Sequence, residues 1–206
     1  MSKKFATEDR RIRRTRAALC AAMEGLLAEK PFRSVTVADV AERADVNRAT
    51  FYLHYADTGE LILDMAVGYL GDLAASFGPV EEDNMRLDRP LEQLVKVFRH
   101  VKSHAALYRA CLEGGAISPF DERIVKVFRD LGLRRIDDIT RVPGASGGAN
   151  ERDLVLSGSV GAILGVIAWW LRTGMRRSPE YVAERAGWLV VGGSYPLLGL
   201  RPPSVG

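Results

Sequence analysis

Eighteen consecutive residues, Leu154 to Leu171, carry no charge. A helix of that composition is apolar on every side, and two surroundings accept it: bilayer hydrocarbon, or the enclosed middle of a helical body. Gly161-x-x-x-Gly165 within it is a close-packing motif. Charges at Arg152, Asp153 and Arg172 bracket the run, and the next segment again places apolar residues at helical spacing, among them Tyr181, Ala186, Trp188 and Leu189. The run is therefore expected to be a core helix packed on its own body and on a second copy, not a membrane anchor.

The rest of the chain reads as helix too. Thr36-Val-Ala-Asp39, Asp57-Thr-Gly-Glu60 and Ser118-Pro-Phe-Asp121 each carry a side-chain acceptor followed three residues on by an acid. That pattern satisfies amide donors which the first turn of a helix leaves orphaned. Ser178 followed by Pro179 is another start, and Asn150 a further one. Ile12, Leu19, Met23, Leu26 and Leu27 share one helical face, as do Leu94, Val97, Phe98 and Val101. Strand-like alternation is confined to Val35 and Val37, where the cap at Thr36 overrides it. The expectation is an all-α chain with helices at 8–29, 37–44, 48–54, 58–77, 90–102, 104–113, 119–140, 151–173 and 179–195. The Gly-rich stretch 142–150 reads as a loop, Glu81-Glu82-Asp83 as a solvated loop, and 201–206 as a frayed tail. Helices are short before residue 56 and long after it, which sets the expected domains at 1–56 and 57–206.

Charge is placed unevenly. The chain has a net charge of +3. Residues 1–56 hold eleven Lys/Arg against seven Asp/Glu, and residues 1–16 hold seven against two. A polyanionic partner for the N-terminal end is one reading, a solvated basic arm the other. Cys20 and Cys111 are too few for a disulfide framework, and no apolar run follows Met1-Ser2-Lys3-Lys4. A reducing, cytoplasmic setting is expected, and secreted, collagenous and disulfide-stapled classes are excluded.

Residues 36–55 say most about function. A short capped helix buries Val37, Val40, Ala41 and Ala44, a turn follows at Asp45-Val46, and a second short helix buries Phe51 and Tyr55. Helices crossing steeply need a small residue where they touch, here Ala41, and an apolar plug in the turn, here Val46. This is helix-turn-helix logic. The outward face of the second helix then shows Asn47, Arg48, Thr50, Tyr52 and His54, groups that bond phosphates and base edges.

Residues 11–61 closely resemble the DNA-binding domain of TetR-type transcriptional regulators. The resemblance rests on Thr15-Arg16-Ala-Ala-Leu19, on Phe32 and Thr36, and on Thr50-Phe51-Tyr52-x-His54-Tyr55. Trp169-Trp170-Leu171 with Gly174 and Ser178-Pro179-Glu180 is similar to one C-terminal subgroup. The resemblance implies a dimer that binds palindromic double-stranded DNA, usually as a repressor released by a small ligand. It implies that Thr36, Tyr52 and His54 hold the DNA backbone while Arg48 and Thr50 reach bases, with Ala49 beside them. Arg13, Arg14 and Arg16 become phosphate contacts from the first helix; Asn47 either caps the recognition helix or touches DNA. Two positions depart from the family pattern. Its turn glycine is Asp45, a residue tolerant of left-handed geometry. Its phosphate-binding lysine is Thr58, which keeps a hydroxyl there but loses a cation.

The body offers Tyr69, Phe77, Phe98, Tyr108, Phe128 and Trp169 as lining for an effector cavity, with plain core as the other reading. Leu156, Val160, Ile163, Ile167, Trp170 and Trp188 are the expected dimer contacts. His100 and His104 stand four apart as metal ligands can, but no third ligand beyond Cys111 or Glu113 is near, so two exposed histidines and no metal are expected. No nucleophile-base-oxyanion set and no phosphate loop exists, so neither an enzyme nor a cofactor is expected. The alternative function is a helix-turn-helix adaptor that binds DNA constitutively and whose body binds a partner protein.

Overall fold

The structure is a computed structural model that describes the backbone of residues 2–77, 92–113, 122–140 and 148–197. The start at Ser118, the triplet Glu81–Asp83, residues 142–147 of the Gly-rich stretch and the tail 201–206 lie outside the described residues. Among the described residues the elements are α1 (Ser2–Glu29), a 3-10 turn (Phe32–Ser34), α2 (Val37–Arg43), α3 (Arg48–Tyr52), α4 (Thr58–Ala75), α5 (Glu92–Ser103), α6 (Ala105–Glu113), α7 (Glu122–Thr140), α8 (Ala149–Arg172) and α9 (Pro179–Leu197). Helices fall within a few residues of the expected bounds at each end except at the start of α1. Asn150, expected to start a helix, lies inside α8, whose N-cap is Gly148 with no side-chain bond. No strand forms among the described residues, so the chain is all α.

The chain divides into two compact units, Met1–Ala66 with Ala106–Ser118, and Val67–Ala105 with Pro119–Gly206. In the first, α1 packs on α2 and α2 on α3. Leu19, Met23 and Leu26 on α1, Val40 and Ala41 on α2, and Phe51 on α3 are buried. Ile12, expected on the same apolar face, is 42% exposed. Residues 10–14 are all exposed, so α1 begins several turns before the core it joins.

In the second unit α9 lies against both α5 and α8, and α8 also against α7. Trp170 is fully buried, meets Phe98 edge-on with ring centroids 5.5 Å apart, and donates its indole N–H to the Arg177 carbonyl at 3.0 Å. The end of α8 is closed by Gly174 at φ 75 and by Met175 N–H on the Trp170 carbonyl at 2.9 Å. Glycine takes that φ without strain, and the Arg177 carbonyl that the indole N–H meets lies in the chain that follows this turn.

The expected dimer contacts fall into two groups by burial in the single chain. Leu156, Val160, Ile167 and Trp170 are enclosed by their own chain, and only Ile163 and Trp188 are half-buried. Packing against α7 and α9 takes up α8's bulky side. What faces outward is Leu154, Gly158, Gly165 and Trp169, with Gly161 half-buried among them, a stripe at helical spacing whose largest member, Trp169, is 47% exposed.

Candidate nucleic-acid interface

Each helix of the reading head is started by its own sequence. Thr36 Oγ1 accepts from Asp39 N–H at 3.2 Å while Asp39 Oδ2 accepts from Thr36 N–H at 2.7 Å, a reciprocal capping box. Lys30 Nζ, 2.8 Å from the same carboxylate, holds Asp39 well below the usual carboxylate range, with the two Thr36 bonds adding to the effect. Lys30 was not among the residues expected to matter here. Its role could be found only by seeing that the 3-10 turn returns the chain to the start of α2.

The turn between α2 and α3 is a Schellman closure. Val46 N–H reaches the Ala41 carbonyl at 2.9 Å and Asp45 N–H the Glu42 carbonyl at 3.1 Å. Asp45 takes φ 54, the left-handed geometry expected of the residue that stands in for the usual glycine. Asn47 then caps α3: its Oδ1 accepts from Thr50 N–H at 2.6 Å.

With Phe51 fully buried, α3 turns the remainder of its short length outward. Arg48, Ala49 and Tyr52 are exposed, and Thr50 and His54 half-buried. Tyr52 stands edge-on to Phe51 at 5.7 Å, which fixes its ring while leaving the hydroxyl in solvent. Leu53, which sequence reasoning passed over, is 82% exposed at the end of the helix. An apolar side chain so placed has no folding role, and only its slot between Tyr52 and His54 marked it.

Arg13 and Arg14 lie on the exposed early turns of α1. Arg16 sits one turn further on and is committed within the head: Nε donates to Tyr55 Oη at 3.1 Å and Nη2 to Asp64 Oδ2 at 2.7 Å. Thr58, the first residue of α4, is half-buried. The turn before it is tied by Glu60 N–H on Asp57 Oδ1 at 2.8 Å and by Ala56 N–H on Glu60 Oε2 at 2.6 Å.

Away from the head, Phe98 and Phe128 are buried and Tyr69 and Phe77 half-buried in the second unit, while Tyr108 is buried and belongs to the first. His100 and His104 were expected to be exposed; both are half-buried, their rings 4.4 Å apart, with the Tyr69 ring 4.7 Å from that of His104. Burial, then the neighbouring His104, lowers the His100 pKa to about 4. Among the described residues no group of three histidine, cysteine or acidic side chains is placed to hold a metal. Cys20 is half-buried and Cys111 buried, and burial pushes the Cys20 thiol up, opposite to what a nucleophile needs.

Relatives place this head and body. Residues 19–65 match the family described as "Bacterial regulatory proteins, tetR family", and residues 88–192 match "Transcriptional regulator C-terminal region". A helix-turn-helix-type transcriptional regulator of Bacillus subtilis (strain 168), YxbF, is 45% identical over 58 residues, which are 28% of this chain and 15% of that protein. The chain thus spans a small part of the length of that relative. A TetR transcriptional regulator from Rhodococcus sp. RHA1 superposes with a TM-score of 0.64 at 22% identity, over 87% of this chain and 96% of that one. The dihydroxyacetone kinase operon activator DhaS superposes at 0.62 with 16% identity, over 87% and 95%. Both structures share the fold. The two family matches together cover the head and most of the body, and the chain belongs to the TetR family of transcriptional regulators, DNA-binding proteins rather than enzymes.

Proposed function

We propose that the chain is a cytoplasmic, dimeric repressor that binds a palindromic operator and is released from it by a small-molecule effector. The observation that carries the reading is the two-sidedness of α3: it spends one buried ring, Phe51, on the fold and exposes Arg48, Ala49 and Tyr52. Arg48 and Thr50 read base edges in the major groove. Tyr52, His54, Thr36 and Thr58 bond the DNA backbone, Arg13 and Arg14 add phosphate contacts, and Asn47 can touch a phosphate only with what its cap leaves over. Leu53 supplies an apolar contact at the same end.

Two copies meet through the outward stripe of α8 and the exposed residues of α9, Tyr181 and Leu189, putting two heads on half-sites about one helical turn apart. The effector acts in the body, where Tyr69, Phe77, Phe98 and Phe128 are its contacts, and shifts α4 so that the head-to-head distance changes. Effector and operator then oppose one another through a single coupling free energy.

The test is fluorescence anisotropy of the purified chain against the DNA upstream of its own gene, beside a scrambled duplex, over a range of salt. Operator affinity roughly a thousandfold above scrambled, with a steep salt slope, is expected. Equal weak binding to both duplexes removes the assignment of α3 as a sequence reader of that DNA. Compounds that leave a specific complex untouched argue against the effector.

A further inference from the structure

Tyr55 lies just beyond α3 and is 3% exposed, its ring centroid 6.0 Å from that of Phe51. A phenol carried so far inward needs partners for its hydroxyl. It has two: it accepts from Arg16 Nε at 3.1 Å and donates to Asp64 Oδ2 at 2.9 Å. The same Oδ2 takes Arg16 Nη2 at 2.7 Å, so the three side chains close a ring of hydrogen bonds. The guanidinium carbon also stands 5.6 Å from the Tyr55 ring centroid. One residue comes from α1, one from the exit of α3 and one from α4.

This arrangement changes what Arg16 can do. To reach a phosphate it would have to leave two bonds, one of them charge-assisted, and the Tyr55 hydroxyl would keep only its bond to Asp64. Arg16 and Asp64 keep 46% and 38% of their side-chain surface in solvent, and a pair so exposed adds little to stability. Its consequence is directional. α3 is a helix of 5 residues, too short to hold its own orientation, and the ring fixes the direction in which the chain leaves it for α4.

We infer that Arg16, Tyr55 and Asp64 are positioning residues for DNA recognition, which aim α3 without touching DNA, and that Arg16 is not a phosphate ligand. The inference rests on α3 being the reading helix.

The variants are Y55F, which removes one hydroxyl and keeps the ring, R16M and D64N. Operator and scrambled-duplex affinities are measured across salt well below the unfolding transition, so that lowered stability alone leaves them unmoved. Amide hydrogen exchange over residues 48–64 is followed without DNA. Y55F is expected to bind the operator about 5–10-fold more weakly, the worth of one hydrogen bond, with scrambled-duplex affinity unchanged and faster exchange over 48–55. R16M is expected to keep the parent salt slope. A slope shallower by about 1.8 in R16M, about 0.9 for each of the two heads, makes Arg16 a phosphate ligand and overturns the inference. So does a Y55F chain that matches the parent in operator binding and in exchange. If D64N fails to fold, Y55F carries the test. If the parent does not distinguish operator from scrambled DNA, the reading of α3 fails separately, and exchange over 48–55 in Y55F decides the positioning role.

Discussion

Asn47 Oδ1 accepts the backbone N–H of Thr50 at 2.6 Å, so the first side chain of the recognition segment is already spent on building the helix that follows it. A cap of this kind contributes about 1 kcal/mol, and α3 has little else to nucleate it. Asn47→Ala is expected to lower the unfolding free energy by about that amount and to weaken operator binding. Asn47→Asp keeps an acceptor at the cap but brings a negative charge to the DNA-facing end. Its thermal midpoint should match the parent while operator affinity falls. Equal operator affinity for Asp and Asn would place the residue away from any phosphate.

Asp45 occupies a conformation that suits glycine better. At φ 54 its Cβ crowds the backbone, whereas glycine takes the same geometry without that cost. Asp45→Gly is expected to stabilise the head by up to about 1 kcal/mol, because the left-handed strain removed outweighs the extra entropy of the unfolded chain. Chemical denaturation of both forms checks this. A destabilised Asp45→Gly chain would mean that the carboxylate itself closes the turn.

These two positions show why the head was legible. Caps and turns are written within four residues of where they act, so Thr36 with Asp39, Asn47, and Asp45 could be read without knowing what folds against them. Arg16 could not: its partner Asp64 lies 48 residues away, and a basic arginine near a DNA-binding helix reads the same whether it meets a phosphate or a carboxylate. The histidines were misjudged for a similar reason, since the Tyr69 ring that stands against His104 comes from a helix far off in sequence. In α8 the apolar residues run all round the helix, so no amphipathic pattern says which side faces out. Of the large residues expected at the dimer contact, Leu156, Val160, Ile167 and Trp170 are enclosed in the core of their own chain.

The stacked histidines predict a response to pH. His100 titrates near 4 in the folded chain and near 6.5 unfolded, so the folded state favours its neutral form. Its contribution is complete above pH 6.5 and is lost as pH falls from there towards 4, because the unfolded chain binds the proton first. His104 opposes protonation of His100 and Asp72 favours it, burial being the larger effect. Thermal melts at pH 7, 6, 5 and 4.5 should show a fall that is shallower in His100→Gln. Asp39, held below the carboxylate range, adds a separate loss only at more acidic pH, as pH falls below its ordinary value of 3.8. Identical pH profiles for His100→Gln and parent would mean that the imidazole is solvated.

The outward glycines of α8 separate a solvent face from a dimer face. A Cβ built at Gly158, Gly161 or Gly165 meets nothing within 4 Å. Inside the single chain, Gly161→Ala and Gly165→Ala therefore remove a poor helix former without a clash and should each stabilise by about 0.5–1 kcal/mol. If a second copy packs there, the glycines let two helix backbones approach, and each added methyl group holds them apart. Sedimentation velocity of the Gly161→Ala/Gly165→Ala chain is expected to shift a parent dimer towards monomer at micromolar concentration. Its thermal midpoint should then depend more strongly on protein concentration. A double variant that stays dimeric and simply melts higher would show that the stripe faces water and that the two copies meet elsewhere.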